Sequence, residues 1–367
     1  MEGKAGNIHP DVYKAYSDNL RKAVGGVFRS DDYGDRYFDL QAQLQSNVTR
    51  FAAYKAYHLT EQLKKQREKW TDDDEYKKVA KAMMNTFNRY QAAEYNTATA
   101  RARTAKQWTD FNSDPIANEL YPNLRWLPSR SANPREEHIQ FYGLVLPKTD
   151  LFWQQNQPGN LWNCKCDWEE TDTPIDTKEL KTDDLAKARS EGGGIHANGL
   201  EGNPAVTGEI FTQGCTYFKQ VSRTKAKKLE HHVGDKFLRR ESANNIHTFQ
   251  GESPVKIDKR GEEIEVIVDS TTTGHISNDI AQSSNFLWNE ISSNIQEILR
   301  NGTLVAHEPN VKQDRKPSAV HYYYYECKVK NNTFYLNVEE NYVKKEQRHF
   351  FRLYSIVSEL RKTAIRY

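Results

Sequence analysis

Apolar residues first come into register at Phe51, Tyr54, Tyr57 and Leu63, at helical spacing among Gln, Lys and Glu. That pattern predicts a helix from about Asp35 onward. Residues 1–34 carry scattered glycines and aromatics and read as a partly ordered arm. A second helix is predicted after Thr71-Asp72-Asp73-Asp74-Glu75, because Thr71 can cap and acids favour a helix N-terminus. Its apolar positions run through Val79, Met83, Phe87, Tyr90 and Tyr95 towards Trp108, and its Ala- and Thr-rich part, Ala92 to Ala105, allows close packing. Asp114-Pro115 ends it. Pro122, Pro128 and Pro134 then make residues 112–170 largely irregular. A stretch of that length needs cross-links, ligands or buried aromatics to stay ordered.

Asp183 to Arg189 is a short helical patch leading into Gly192-Gly193-Gly194, which reads as a flexible joint. Lys219 to Arg240 reads as a basic helix and residues 241–261 as a linker. After that the period changes. Glu263 to Val268 is a strand, and Ser283 or Ser284 caps a helix with Leu287, Trp288, Ile291, Ile295, Ile298 and Leu299 on one face, ended by Asn301-Gly302. Thr303 to His307 is a strand, and His321–Val329 with Thr333–Val338 form a hairpin around Asn331-Asn332. Phe350, Leu353, Tyr354, Val357 and Leu360 predict a closing helix.

Composition adds bounds. A chain of 367 residues exceeds one ordinary core. At 37% hydrophobic and 28% charged it is polar, yet 20 Tyr, 15 Phe and 7 Trp supply core mass that a disordered chain lacks. The net charge of +2 hides an uneven distribution. Lys219 to Arg240 holds eight Lys/Arg against two acids, Asp258 to Val311 three against nine, and Lys312 to Tyr367 twelve against six. Such asymmetry suits a C-terminal module with one anion-facing side, or simply solvated faces. No stretch has the run of apolar residues that a membrane helix needs, so no membrane partner is expected. Met1-Glu2-Gly3-Lys4 lacks a signal-peptide pattern. Four cysteines in this length imply a reducing compartment.

The stretch from Arg130 to Trp168 concentrates unusual residues. Cys164 and Cys166 with His138 supply three soft or borderline metal donors, and Asp150 or another His can complete four, which would make a structural zinc knuckle. The competing reading is two small buried cysteines and a hydrogen-bonded loop histidine. Arg135, His138, Gly143, Asp150, Phe152, Trp153, Pro158, Cys164 and Cys166 together resemble the signature of the Mu F-like phage minor head (head morphogenesis) family. Gly202-Asn203-Pro204 and Gly208-Glu209-Ile210-Phe211 resemble the end of that family's domain. The resemblance implies a minor capsid protein made in the host cytoplasm and placed in the virion head interior. Its partners would be the portal and other head proteins, and packaged DNA in some members.

The last hundred or so residues more weakly resemble nuclease-like modules of the barnase, EndoU, colicin E5/D and RelE type. Such a module cleaves RNA without a metal: a base takes the 2′-hydroxyl proton, an acid protonates the leaving oxygen, and a cation steadies the phosphate. The candidates are His275, Arg315, Lys316, His321, Tyr323 and Thr333, with the other tyrosines of Tyr322–Tyr325 and Tyr335 beside them. Each also has a plain structural reading, as a turn cap, a strand or core residue, or a loop charge. No Gly-rich phosphate loop, His-Glu-x-x-His or Cys-x-x-Cys is present, which argues against a nucleotide motor or a free-standing zinc enzyme.

The expected fold class is multidomain: an α-rich, irregular head domain followed by a small α+β domain with an antiparallel sheet. The expected segments are a helical arm over 1–70, the head domain over 70–220, a basic helix and linker over 221–257, and the RNase-like domain over 258–367. The expected function is a phage or prophage minor capsid protein carrying an RNase-like effector, with RNA as substrate and an immunity protein as a further partner. The alternative is a purely structural head protein whose tail binds portal, scaffold or DNA.

Overall fold

The computed structural model of the protein describes residues 8–178, 182–190, 193–311 and 314–367. The chain forms two compact units, one of residues 1–31 and 40–229, the other of residues 32–39 and 230–367.

In the first unit, the segment read as a partly ordered arm contains helix α1 (Pro10–Gly25), which buries Tyr13, Tyr16, Leu20, Ala23 and Val24. Pro10 starts it, its missing N–H falling where no helical partner exists. Two long helices follow, α2 (Phe38–Lys69) and α3 (Asp73–Ser113). The cap of α3 is Asp72, one residue beyond the expected Thr71; its carboxylate accepts from Asp74 N at 3.0 Å and Glu75 N at 2.8 Å. Lys55 of α2 and Glu94 of α3 form a buried ion pair. Burial pushes the Glu94 carboxyl up to about 7 and the Lys55 ammonium down, each opposed by its partner.

The proline-rich stretch is more regular than its sequence suggests. After α4 (Pro115–Leu120), strand β1 (Asn123–Leu127) lies between β2 (Val145–Pro147) and β3 (Asp167–Thr171), both antiparallel to it. Short helices α5 (Glu136–Ile139) and α6 (Phe152–Gln155) fill the connections. Trp126, Trp153, Phe141, Phe152 and Trp168 form its core. These strands are too short for an alternating pattern to stand out between prolines. Helix α7 (Thr182–Arg189) follows. Gly192 lies outside the described residues. Gly194 is a point of close packing rather than a joint, since a Cβ there would sit 2.5 Å from Gln155 O. Short helices α8 (Pro204–Thr207) and α9 (Thr216–Lys219) complete the unit before α10 (Arg223–Val233).

One residue organises this unit. Arg101 of α3 is fully buried, and its guanidinium donates to Asn160 Oδ1 and to the carbonyls of Leu200 at 2.8 Å, Glu201 at 3.2 Å, Gly202 at 3.3 Å and Glu209 at 3.3 Å. Gly159 comes so close that a Cβ would meet Arg101 Cγ at 3.1 Å, and its φ of +100° suits only glycine.

In the second unit, a π-turn (Gly234–Leu238) joins α10 to α11 (Arg239–His247), so the basic helix runs into the expected linker and buries Ser242 and Ile246. Strands β4 (Val255–Lys259) and β5 (Glu262–Ile267) form a hairpin through Arg260-Gly261, both at positive φ. Helix α12 (Ser270–Ser283) was not expected from the sequence; Asp269 caps it and Thr272 completes a capping box. Ser284 is left-handed and ends α12, and Asn285 caps the next helix, α13 (Phe286–Ile291), in place of the serines. A 3₁₀ turn (Ser292–Asn294) separates α13 from α14 (Ile295–Arg300).

The remaining strands are β6 (Thr303–Pro309), β7 (Ala319–Val329), β8 (Asn332–Val343), β9 (Arg348–Val357) and β10 (Ile365–Arg366). The seven-stranded sheet runs β10-β6-β7-β8-β9-β5-β4, antiparallel except where β5 meets β9. The expected closing helix is therefore a strand. Its apolar spacing fits a helix, but a bulge at Asn337/Val338 shifts the register of β9 against β8. Residues 32–39 join this unit: Lys330 N donates to Asp39 at 2.7 Å and Tyr33 N to Asn294 at 3.1 Å. The predicted class, an α-rich irregular region followed by an α+β region with a largely antiparallel sheet, matches this architecture.

Two measurements check these contacts. Arg101→Met should destabilise the first unit by about 3–5 kcal/mol in denaturant titration, because several buried carbonyls lose their donor. Asp279, whose carboxylate accepts from Ile356 N at 3.1 Å, is pushed by burial from 3.8 to about 6. A raised carboxyl contributes stability present below its unfolded pKa and lost as pH rises through the folded value. Asp279→Asn should therefore gain about 2 kcal/mol over wild type near pH 7.5, and little near pH 4.

Candidate functional site

Two constellations carry chemistry, one in each unit. In the first, α5 presents His138 and the loop before β3 presents Cys164 and Cys166. All three are buried, and their donor atoms lie within 4.8 Å of one another. His138 Nδ1 is 3.4 Å from Cys164 Sγ and 3.9 Å from Cys166 Sγ, while Nε2 is 3.4 Å from Ile195 O. A hydrogen bond from Cys166 and the neighbouring His138 hold the Cys164 thiol below its ordinary value, and the same bond with burial pushes Cys166 up. Asp150, a candidate fourth donor by sequence, instead receives Arg189 Nε at 2.8 Å and caps Phe152 N at 2.9 Å.

The other motif residues surround this centre and Arg101. Arg135 donates to Trp162 O at 2.8 Å, Gly143 takes φ +78°, and Pro158 O accepts from Thr104 at 3.0 Å. Phe211 stacks on Phe51 at 4.0 Å.

In the second unit, the sheet register sorts the six sequence candidates. Directly opposed residues of antiparallel strands share a face. Tyr322, opposed by Glu308, Glu339 and, through Glu339, Arg352, therefore belongs to one face. Lys316 joins that face: its Nζ lies 3.0 Å from Glu339 Oε2 and 3.7 Å above the Tyr354 ring. His275 of α12 packs on the same ring, centroids 4.2 Å apart. Burial first, then the Lys316 charge, lowers the His275 imidazole below its ordinary value.

His321 and Tyr323 point to the opposite face with His307 and Glu340. Arg315 is exposed. Thr333 is exposed near the start of β8, opposite Lys328 and roughly 20 Å along the strand from Glu339. The fold thus brings together His275 with Lys316, and separately His321 with Tyr323.

Around His321 and Tyr323 lies a pocket of about 520 Å³ lined by Lys259, Arg260, Glu262, His307, His321, Tyr323 and Tyr367. The His307 and His321 rings are 6.2 Å apart. Beneath them Glu340 is buried, accepting from Tyr323 Oη at 2.7 Å and contacting His349 Nδ1 at 2.7 Å. Burial and this hydrogen bond push the Tyr323 hydroxyl up, so it stays a donor. Lys259 sits 5.3 Å over Tyr323, and Arg260 4.8 Å over Tyr367.

His307, Glu340, His349, Lys259 and Arg260 escaped the sequence reading. The signal for Glu340 was the hairpin turn: it falls at Lys330-Asn331, with Lys330 at φ +51°, and counting back from it sets Glu340 opposite His321.

Comparison with known proteins agrees with this division. Residues 34–169 match the family described as Phage Mu protein F like protein, and residues 234–350 match Large polyvalent protein-associated domain 3. The first unit thus contains most of a region similar to Phage Mu protein F like protein. A stretch of 75 residues is 31% identical to the "Putative capsid assembly protein F" of Escherichia phage Mu, spanning 20% of this chain and 16% of that protein. No solved structure matches. Among the described residues, no helix is long and apolar enough to cross a membrane.

The His275 assignment has a direct check. Its NMR titration midpoint should fall below 6.5, and Lys316→Met should move it upward by removing the positive charge beside it.

Proposed function

We propose that this chain is a phage head-assembly protein whose second unit is a metal-independent ribonuclease module. The Mu F-like match and the similarity to a capsid assembly protein support the head role, with other head proteins as partners. The observation that carries the second half is the pocket in which two imidazoles and two cations converge, with buried Glu340 paired opposite His321 on the neighbouring strand.

Acting on RNA, one of His307 and His321 takes the 2′-hydroxyl proton, and the oxygen attacks phosphorus. The other gives its proton to the departing 5′-oxygen. Lys259 and Arg260 offset the charge that gathers on the phosphate. Glu340 holds the Tyr323 hydroxyl and His349, and so orients the floor of the pocket. The half-buried ring of His307 and the exposed ring of Tyr367, stacked at 5.0 Å, offer a surface for a base. This reading moves the centre away from His275, Lys316, Arg315 and Thr333, and retains His321 and Tyr323. An immunity protein would have to cover the same pocket.

The test is incubation of the purified full chain with single-stranded RNA in excess chelator. Cleavage leaving 2′,3′-cyclic phosphate ends, reduced about 100-fold or more by His307→Ala or His321→Ala, is expected. Intact RNA would instead leave the second unit as a binding module for portal, scaffold or DNA. The head role is checked separately by recovery of the chain with heads purified from a producing culture.

A further inference from the structure

We propose that His138, Cys164 and Cys166 form a three-ligand zinc site that staples the irregular part of the Mu F-like domain. The distances come first. Zinc–sulfur bonds of about 2.3 Å and zinc–nitrogen bonds of about 2.0 Å put a ligand nitrogen about 3.6 Å from a ligand sulfur in tetrahedral geometry. His138 Nδ1 stands 3.4 Å and 3.9 Å from the two sulfurs.

The surroundings are those of ligands rather than of inert core cysteines. His138 Nε2 faces Ile195 O at 3.4 Å, which fixes the tautomer that leaves the Nδ1 lone pair towards the sulfurs. Cys166 N donates to Cys164 Sγ at 3.4 Å, a bond that favours thiolate. Trp126 Nε1 and Tyr142 Oη are buried donors that border the Cys166 thiol, with Tyr142 also near the Ser129 backbone. A neutral thiol is a weak acceptor for them; a metal-bound thiolate accepts both. Trp126 also packs edge-on against the imidazole, centroids 5.1 Å apart.

Among the described residues no fourth His, Cys, Asp or Glu joins the three. Water or an incoming group takes the fourth position. The ion would tie α5 to the loop before β3, adding to the Arg135 bond to Trp162 O, and so meets the need for a cross-link in this stretch.

The full chain, purified reduced and without chelator, should contain about one zinc by elemental analysis. Exchange with Co²⁺ should give a thiolate-to-cobalt charge-transfer band. Cys164→Ser and Cys166→Ser should each weaken cobalt binding by at least about 10-fold, while Cys215→Ser and Cys327→Ser leave the band unchanged. Wild-type protein that is folded by circular dichroism yet holds no zinc and gives no cobalt band overturns the proposal, whatever the variants do. A band that persists in both Cys164→Ser and Cys166→Ser overturns it as well.

Discussion

The first unit depends on a buried guanidinium. A charge taken out of water costs several kcal/mol unless hydrogen bonds replace the lost solvent. Arg101 has that replacement from Asn160 and from carbonyls spread between residues 200 and 209. Burial pushes the group down to about 9, still charged at neutral pH, and Glu201 and Glu209 oppose the shift. Helix α3 can bury this charge only if loops distant in sequence turn their carbonyls towards it. The motif residues follow from that demand. Gly159 leaves room beside Arg101, Asn203 caps α8 and Gly208 ends it left-handed. Phe211 is held at Asn47 by a reciprocal pair of hydrogen bonds, Asn47 Nδ2 to Phe211 O at 2.9 Å and Phe211 N to Asn47 Oδ1 at 2.8 Å. The motif read in sequence as a family signature is largely the framework of an irregular domain, with His138, Cys164 and Cys166 as its one cluster of metal-type donors among the described residues.

The second unit solves a related problem on a sheet. Glu308, Glu339 and Glu340 lie on its central strands and are buried. Glu308 accepts from Thr363 at 2.6 Å, Tyr324 at 2.6 Å and Arg361 at 2.8 Å; burial raises its carboxyl, but these donors outweigh it and the net shift is downward. Glu339 is held by Lys316 and Arg352. Glu340 differs, because its partners are a phenol and two imidazoles, those of His349 and His321, rather than a lysine or arginine. The nearby Lys259 and Arg260 rest on aromatic rings at the pocket wall, and Lys259 also pairs with Glu262 at 3.3 Å. Alternation along β7 therefore places the Glu339 ion pairs on one face and the pocket with His307 and His321 on the other.

Much was legible without coordinates. The long helices, the stop at Asp114-Pro115, the β7–β8 hairpin and the α-then-α+β order all follow from local pattern and capping chemistry. That His138 and the two cysteines were capable of sharing a site was also legible, but the sequence left open whether they meet. Local pattern could not distinguish β9 from a helix: Phe350, Leu353, Tyr354 and Val357 satisfy a helical face, and a bulge supplies the same spacing on a strand. Helix α12 was missed because its Ser- and Thr-rich start has little helical preference, and the Asp269 capping box decides it.

By itself the sequence determined element types wherever propensity, caps and period agreed, and it determined which residues were capable of chemistry. Tertiary structure alone decided which of those residues meet. His275 and His321 both suit acid–base work, yet one packs with Lys316 and Tyr354 and the other with His307 and Glu340. The reason is physical: a strand places neighbours on opposite faces, so the identity of a site rests on register. Register is set by turns, bulges and long-range pairing rather than by any single residue.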